Sequence, residues 1–199
     1  MDLFGCAEEQ LLPYDGEARL FSDVWSPNDC HQTAAALTDT LEWEQLTVEV
    51  FNRRVPQPRL TCWYGDADKT YSYSGVSLTA LPWTPLLADI RTKCEEVSGA
   101  PFNSVLANLY RTGADSISWH SDNEPELGPQ PTIASVTFGA TRRFDMRHRE
   151  TKEVVQVNLT PGSILVMSGL TQAKWQHQIA KTKKPIGPRI NLTFRTIHV

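Results

Sequence analysis

A histidine and an aspartate, His120 and Asp122, stand two residues apart in the segment ISWHSDNEPELG, which is predicted to be extended. Side chains at positions i and i+2 of a β-strand point to the same side, so we expect this pair to project together. Imidazole and carboxylate groups bind transition metals, and the pair could supply part of a metal site. An H-x-D pattern occurs often by chance, and a polar strand edge explains it more often than a metal does. Two ligands alone do not make a metal site.

A third ligand has to come from elsewhere in the chain, which contains five histidines. His31 falls in a predicted helix, His198 is the penultimate residue, and His148 lies in the basic segment RRFDMRHRE, where we expect it to face solvent or a phosphate. His177, in KWQHQIA, lies between apolar neighbours on a predicted strand and is the best third ligand. Two histidines and one carboxylate form the facial triad of non-haem Fe(II) oxygenases. The same set can hold catalytic zinc, so the triad alone does not choose the metal.

The segment PRINLTFRTI, near the C-terminus, is predicted to be a strand with one apolar face and one polar face. Its polar positions are Arg189, Asn191, Thr193 and Arg195. A buried strand presents two arginines inward only beside an anion, because an unpaired buried charge is very costly. Guanidinium pairs bidentately with carboxylate, so the dicarboxylate 2-oxoglutarate would satisfy both arginines. Alternation alone slightly favours a solvent-facing basic strand, but a position downstream of H-x-D and His177 favours the co-substrate site.

Charge is distributed unevenly along the chain, which has a net charge of −4. Residues 1–50 contain eleven acidic residues and one basic residue, whereas residues 142–199 contain eleven basic residues and three acidic ones. The C-terminal part could therefore offer a positive face to a phosphate backbone while the rest keeps the protein soluble. Ordinary uneven solvation explains the same distribution and stays open as an alternative.

The length of 199 residues fits one compact domain. No apolar run approaches the roughly 20 residues that a membrane helix needs, so we expect no membrane partner. The N-terminus, MDLFGCAEEQ, lacks the basic and apolar regions of a secretory signal. The four cysteines are scattered without a C-x-x-C pair, which argues against a zinc ribbon or a disulfide scaffold and fits a reducing cytosol.

The order of predicted elements indicates an α+β fold that is mainly β. A capping cluster and an alanine-leucine run predict a helix from about Pro27 to Glu44, and a second helix begins at Thr84 and Pro85 and ends at Gly99. From residue 103 onward, segments rich in Val, Ile, Thr and aromatic residues alternate with Gly, Pro and Asp. They are NSVLANLY, SISWHSD, IASVTFG, RRFDMRH, EVVQVNL, SILVMSG, WQHQIA and RINLTFRTI. Eight strands at this spacing suggest a double-stranded β-helix, or jelly roll, which commonly binds a ligand inside the mouth of the barrel.

The order of H-x-D, a distal histidine and R-x-N-x-T-x-R resembles the AlkB family of Fe(II)/2-oxoglutarate dioxygenases, which repair alkylated nucleic-acid bases. The likeness runs from about Val48 to the C-terminus and is nearest to the branch that prefers double-stranded DNA. It implies Fe(II), 2-oxoglutarate and O2 as cofactors, with His120, Asp122 and His177 as the iron ligands. It also implies that the co-substrate is held by Asn108, Tyr110, Arg189, Asn191, Thr193 and Arg195, the two arginines taking its carboxylates.

The resemblance implies a substrate pocket for a base that is flipped out of a duplex or already unpaired. Tyr71 and Tyr73, in TYSYSG, would sandwich that base between aromatic planes, although core packing is an alternative for both. Asn123 and Glu124, directly after the H-x-D pair, align with substrate-pocket residues of the duplex-preferring branch.

The segment VEVFNRRVPQPR matches the Val-Phe-Gly finger of that branch. Val50, Phe51 and Asn52 occupy the three finger positions, and the phenylalanine would fill the gap that the flipped base leaves. Asn52 replaces the glycine of the family and still permits a tight turn, because asparagine tolerates a positive φ. The basic residues beside the finger would hold phosphates or probe the base stack; they are Arg53, Arg54 and Arg59. A surface hairpin with a core-facing phenylalanine is the alternative.

A basic run aligns with a region that contacts DNA in the same branch. It comprises Arg142, Arg143, Arg147, Arg149 and Lys152, and its face could be extended by Lys181, Lys183 and Lys184. Phosphate contacts of this kind position a duplex without reading its sequence.

We therefore expect oxidative dealkylation of 1-methyladenine and 3-methylcytosine in DNA, with duplex preferred and single strands also accepted. The alternatives are the same chemistry on RNA or on a protein side chain, and a non-enzymatic nucleic-acid binding module with a structural His–Asp pair. The expected protein is a monomer in the cytoplasm, associated with the nucleoid in a bacterium, or in the nucleus of a eukaryote. We expect one domain, 1–199, with an N-terminal extension and helix (1–45), a nucleotide-recognition lid and helix (46–100) and a jelly-roll catalytic core (101–199).

Overall fold

The computed structural model describes residues 7–50, 53–67, 70–73 and 76–198. The first half contains β1 (Glu8–Gln10), β2 (Glu17–Phe21), α1 (Pro27–Thr40), β3 (Thr47–Val50), β4 (Arg53–Pro56), β5 (Leu60–Gly65), β6 (Thr70–Tyr73), β7 (Val76–Thr79), β8 (Leu81–Pro82) and α2 (Pro85–Ser98). The second half contains β9 (Ser104–Tyr110), β10 (Ile117–His120), a 3-10 turn (Pro125–Leu127), β11 (Ile133–Gly139), β12 (Arg142–His148), β13 (Val154–Leu159), β14 (Ser163–Ser168), α3 (Thr171–Lys174), β15 (Trp175–Ile179) and β16 (Arg189–Arg195). All eight strands predicted after residue 103 are confirmed.

Two sheets form the core of the fold. The larger sheet has the strand order β1-β2-β14-β11-β16-β9-β5-β8, and the smaller one has the order β10-β15-β12-β13. Side chains from both sheets line one cavity, so the two sheets face each other as in a jelly roll. The predicted mainly β, jelly-roll fold is confirmed.

The alternation along β16 decides which side chains reach the space between the sheets. Ile190, Leu192 and Phe194 are buried in the apolar layer where the two long helices cover the larger sheet. The intervening polar positions of β16 therefore point the other way, toward the smaller sheet. A second apolar cluster, which includes Phe144 and Met167, fills the rest of the space between the sheets.

The two long helices begin at the predicted residues, and one ends earlier than predicted. The hydroxyl of Ser26 accepts a hydrogen bond from the amide of Asp29 at the start of α1, and Thr84 caps α2 in the same way. Gly99 ends α2 with a φ of 72°. Helix α1 stops at Thr40 rather than Glu44, because the chain becomes extended at the next residue and then pairs with β5.

Two strands of the N-terminal half join the larger sheet. Strand β2 pairs with β14 along its length, which places residues 17–21 in that sheet. Strand β5, which falls in the region predicted as a lid, pairs with β9 in the same sheet. In the described part of the lid region, β3 with β4 and β6 with β7 form two separate two-stranded ribbons.

No helix in the described part of the chain is both long and apolar enough to cross a membrane.

Candidate metal centre and adjoining groove

The three predicted metal ligands come together at one end of the smaller sheet. His120 ends β10 and lies directly opposite His177 in the antiparallel pairing with β15, with their ring centroids 4.2 Å apart. Asp122 follows in the loop after β10. One ligand atom from each of these residues lies within 4.8 Å of the others, an arrangement that no other His, Cys, Asp or Glu group shares among the residues described.

Hydrogen bonding leaves a free lone pair on His120. Its Nδ1 lies 2.8 Å from the carbonyl oxygen of Ser118, which can only accept, so Nδ1 carries the proton. In the neutral ring Nε2 is then the nitrogen with the lone pair, and it lies 3.7 Å from Oδ1 of Asp122. A backbone carbonyl that fixes the tautomer in this way is typical of metal-binding histidines.

Electrostatics keep the other two ligands in the protonation states that a metal requires. Burial lowers the pKa of His177 to about 3, and the neighbouring His120 acts in the same direction, against the attraction of Asp122. Burial works to raise the pKa of Asp122, but the charge of Arg195 and its hydrogen bond to the carboxylate, together with the two neighbouring imidazoles, hold this pKa well below its usual value. At neutral pH the site thus presents a neutral imidazole beside a carboxylate, which fits a divalent cation.

Two buried side chains fix Asp122. Arg195 donates from Nη2 to Oδ2 of the carboxylate at 2.6 Å, and the backbone amide of Asp122 donates to Oε1 of Gln172 at 3.0 Å. Arg195 also lines the cavity behind the ligands, so its predicted contact with a co-substrate carboxylate stays a prediction. Gln172 was not predicted from the sequence, because a lone glutamine in a short helix carries no recognisable signal.

A cavity opens behind the three ligands and between the two sheets. Its polar lining includes residues predicted to hold the co-substrate, namely Asn108, Tyr110, Asn191, Thr193 and Arg195. The amide of Asn191 donates to the hydroxyl of Ser135 at 2.9 Å. The alternation of β9 and β16 brings these polar residues from neighbouring strands to one face, as predicted for β16.

Arg189 lies beside Tyr110 on the same face and is fully buried. Its Nη2 donates to the hydroxyl of Thr137 at 2.9 Å, while Nε and Nη1 have no hydrogen-bond acceptor among the described residues. Burial lowers the pKa of Arg189 to about 10, so it remains charged at neutral pH. A buried cation with unfilled donors fits a carboxylate ligand, which is the role predicted for this residue.

Arg59 does not occupy the phosphate-binding position that we expected. It is only 4% exposed, and its Nε donates to Oδ1 of Asn108 at 2.7 Å, while Nη1 donates to the carbonyl of Ser116. Arg59 therefore braces a residue of the cavity from behind. The prediction was wrong because the sequence around an arginine in a basic cluster does not indicate whether its guanidinium lies in solvent or in the interior.

A groove adjoins the metal centre on its outer side. The β3–β4 ribbon, the segment from Gln57 to Arg59, the strand β10 and Glu124 line this groove, and His120 faces both the groove and the inner cavity. Glu124 is half-buried, and its Oε2 atom has no hydrogen-bond partner among the described residues. Asn123 is exposed beside it. The metal centre thus lies where the groove meets the cavity.

The predicted base-contacting residues fall on the two ribbons. Val50 pairs with Arg53 at the end of the β3–β4 ribbon, and Phe51 and Asn52, between them, lie outside the described residues. Tyr71 and Tyr73 lie two residues apart on β6. The structure gives backbone positions for these two tyrosines and for Val50 and Arg53, and their predicted contacts stay predictions.

One member of the predicted basic run, Arg142, and the histidine of the same segment, His148, are buried, contrary to expectation. Arg142 is 3% exposed and donates to the backbone carbonyls of Thr112, Asp115 and Ala180, so it ties loops together instead of facing DNA. His148, expected to face solvent or a phosphate, is 1% exposed and accepts hydrogen bonds at Nδ1 from two backbone amides of the following turn.

Other members of the basic run do reach the surface. Arg147 stacks over the ring of Trp119 at 4.3 Å and donates to Oε1 of Gln176 at 3.1 Å. Arg149 donates to the hydroxyl of Ser121, in the loop that carries Asp122. Trp119 was not singled out in the sequence, although its place beside His120 puts it on the wall of the groove.

Comparison with known proteins gives matches along most of the chain. A family model described as "2OG-Fe(II) oxygenase superfamily" matches residues 17–195, which extends upstream of Val48 to the first residue of β2. The chain is 43% identical over 172 residues to "Alpha-ketoglutarate-dependent dioxygenase alkB homolog 3" of Homo sapiens, covering 81% of this chain and 59% of that protein. It is 45% identical over 158 residues to "DNA oxidative demethylase ALKBH2" of Mus musculus, covering 75% of this chain and 66% of that protein.

A solved structure titled "The structure of OsALKBH1" resembles the fold with a TM-score of 0.66 at 14% sequence identity, covering 96% of this chain and all of that one. The present chain spans about three fifths of the length of the human relative. The family model covers both sheets, the three metal ligands and the buried arginines of β16. The chain therefore belongs to the 2OG-Fe(II) oxygenase superfamily.

Proposed function

We propose that this protein is an Fe(II)- and 2-oxoglutarate-dependent oxygenase that removes alkyl groups from N-alkylated bases, such as 1-methyladenine and 3-methylcytosine in DNA. The observation that carries the proposal is the juxtaposition of His120, Asp122 and His177 with a fully buried arginine, Arg189, whose Nε and Nη1 have no hydrogen-bond acceptor among the described residues. A facial triad leaves coordination positions open for a co-substrate and oxygen, and the arginine provides for a carboxylate.

The residues of the chain divide the work between binding and positioning. His120, Asp122 and His177 would hold Fe(II), and Arg189 would bind one carboxylate of 2-oxoglutarate, with Tyr110 and Asn108 beside it. When bound, these groups and O2 supply the oxidation of an N-alkyl carbon, and the hydroxylated product breaks down to an aldehyde and the unmodified base. Arg195 keeps Asp122 ionised and in place, and the apolar side chains between the sheets keep water out of the cavity.

The groove supports a base as the substrate. Methylation at N1 of adenine or N3 of cytosine gives the base a positive charge, and Glu124 offers a carboxylate oxygen that has no partner among the described residues. A cationic ring that enters this groove would meet Glu124 on one side and His120 on the other. Asn123 would add a polar contact, and Tyr71 and Tyr73 would stack on the ring, as the sequence resemblance implies.

Basic and aromatic residues on the surface favour binding of a nucleic-acid strand. Trp119 and Arg147 form a stacked pair on the wall of the groove, and Arg149 lies above the loop of Asp122. Arg143, Lys181 and Lys184 line a further depression near the end of β15. These positions would bind phosphates without reading sequence, which suits an enzyme directed at lesions.

The match to the Val-Phe-Gly finger supports a preference for duplex DNA. In this proposal Phe51 enters the stack in place of the flipped base, with Val50, Asn52 and Arg53 supporting it. The protein would act as a monomer wherever the cell keeps its DNA, in the nucleoid or in the nucleus.

The test is an assay of formaldehyde release from oligonucleotides that contain a single 1-methyladenine. Matched substrates carry the lesion in single-stranded DNA, in duplex DNA and in RNA, and His120→Ala serves as the inactive control. We expect turnover that requires Fe(II) and 2-oxoglutarate, with DNA preferred over RNA. Turnover on RNA but not on DNA would show that RNA is the substrate and would contradict the proposed DNA substrate. A His120→Ala variant as active as the parent would contradict the proposed metal centre.

A further inference from the structure

Gln172 joins the short helix α3 to the loop that carries a metal ligand. The side chain is only 2% exposed, and its Oε1 accepts the hydrogen bond from the backbone amide of Asp122 at 3.0 Å. Helix α3 leads directly into β15, so Gln172 lies five residues before His177. One amide therefore links the segments that present the second and third ligands.

The loop of Asp122 depends on this contact because it lies beyond the sheet. The pairing between β10 and β15 ends at His120 and His177, and Asp122 has no strand partner. Its carboxylate is held by Arg195, but a carboxylate held at one oxygen can still turn about its own backbone. Fixing the main-chain amide as well removes that freedom.

The orientation of the Gln172 amide follows from its neighbours. An N–H group can only donate, so the oxygen of Gln172 must face Asp122 and the NH2 group must face away. The NH2 group lies 3.6 Å from the sulfur of Met167, which is a weak acceptor. The hydrogen bond to Asp122 is thus the stronger of the two and sets the position of the side chain.

We propose that Gln172 is a positioning residue for the metal centre, which holds the loop so that the carboxylate of Asp122 meets the ion together with His120 and His177. The inference rests on the metal site of the proposed function but not on the nucleic-acid substrate. Removal of a group that orients a metal ligand typically weakens metal binding by about 10- to 100-fold.

Cobalt(II) binding by the metal-free protein tests the proposal without any turnover. Cobalt reports affinity through titration and ligand geometry through its visible absorption spectrum. Gln172→Met keeps the length of the side chain and removes the acceptor, whereas Gln172→Glu keeps an oxygen at the same distance. We expect Gln172→Met to bind cobalt about 10- to 100-fold more weakly with an altered spectrum, and Gln172→Glu to bind more tightly than Gln172→Met.

A matched control separates this role from general loss of structure. Gln178 lies on β15 next to His177, and its side chain is on the opposite face of that strand. Gln178→Met removes an amide that donates to Asp145 at 3.0 Å. We expect the thermal stability of its metal-free form to change about as much as that of Gln172→Met, while its cobalt affinity and spectrum remain those of the parent.

A folded Gln172→Met protein that binds cobalt within about twofold of the parent's affinity, with an unchanged spectrum, would overturn the proposal. Loss of a group that orients a metal ligand weakens metal binding by more than about twofold. Should Gln172→Met not fold, Gln172→Asn takes its place, because its shorter amide leaves the Asp122 N–H out of reach, and parent-like binding by it would overturn the proposal equally. A parent that binds no cobalt would remove the metal centre and this inference together, whereas absence of demethylation with intact cobalt binding would affect only the proposed function.

Discussion

At the scale of single residues, the metal ligands were predictable because their spacing has a local geometric meaning. His120 and Asp122 share one side of an extended segment, and that rule needs no knowledge of the rest of the fold. The choice of His177 among five histidines relied on its apolar neighbours. Its position directly opposite His120 is a matter of strand register, which the sequence did not specify.

The burial of His177 predicts how stability depends on pH in the metal-free protein. Its folded pKa is about 3, whereas a histidine in an unfolded chain titrates near pH 6.5. Between these values the unfolded chain binds a proton that the folded protein does not, so the free energy of unfolding falls as the pH falls below about 6.5. His177→Gln should flatten this dependence by up to about 1.4 kcal/mol per pH unit.

Urea unfolding of both metal-free proteins at several pH values between 7.5 and 4.5 measures this difference directly. The two curves of unfolding free energy against pH should run parallel above pH 7. Below pH 6 the curve of the parent should be the steeper of the two. Parallel curves throughout would mean that His177 titrates in the folded protein as it does in the unfolded one.

Other residues were misplaced because burial of a polar side chain depends on contacts distant in sequence. Arg59, Arg142 and His148 each lie among basic or polar neighbours, which predicts a surface position. In the structure Arg59 donates to Asn108, Arg142 donates to carbonyls of loops distant in sequence, and His148 packs against the rings of Tyr14 and Trp175. Gln172 was missed for the same reason, since its partner is the amide of Asp122.

At the scale of elements, the strand β16 shows what periodicity can predict. Its alternation indicated one apolar and one polar face, and the structure places those faces against the helices and in the cavity, respectively. Strand β2 was not predicted, although its five residues alternate and the turn signal Asp15-Gly16 stands directly before them. Only pairing with β14 identifies it as part of the larger sheet.

The β3–β4 ribbon carries a prediction of its own. Its two strands bring Val50 and Arg53 opposite each other, and Phe51 and Asn52 come between them in the sequence. If Phe51 fills the space of a flipped base, Phe51→Ala should lower activity on duplex DNA by at least about tenfold, because the lost stacking costs a few kcal/mol per step. Activity on the same lesion in a single strand should change by less than about twofold, because no stack is opened.

Initial rates on matched single- and double-stranded substrates measure this effect. Val154→Ala, at an exposed position on β13 at the far edge of the smaller sheet, is a control for loss of an apolar surface residue. Equal losses on both substrates, or no loss on either, would count against a wedge at Phe51.

At the scale of the whole molecule, the site exists only where the two sheets meet. The smaller sheet contributes His120 and His177, and the larger sheet contributes Asn108, Tyr110, Arg189 and Arg195. In the proposed function, metal and co-substrate would therefore be held by different sheets, and Asp122 would join them through its contact with Arg195. Binding of Fe(II) and 2-oxoglutarate together reports on the architecture as a whole.

The most direct test of this account is an anaerobic titration of the protein with Fe(II) and 2-oxoglutarate, followed by visible absorption. We expect a metal-to-ligand charge-transfer band in the parent and none in His177→Ala. In Arg189→Met the band should require at least about thirtyfold more 2-oxoglutarate, because loss of one partner of a buried charge pair costs 2 kcal/mol or more. A folded parent protein that develops no band at saturating Fe(II) and 2-oxoglutarate would contradict the central claim.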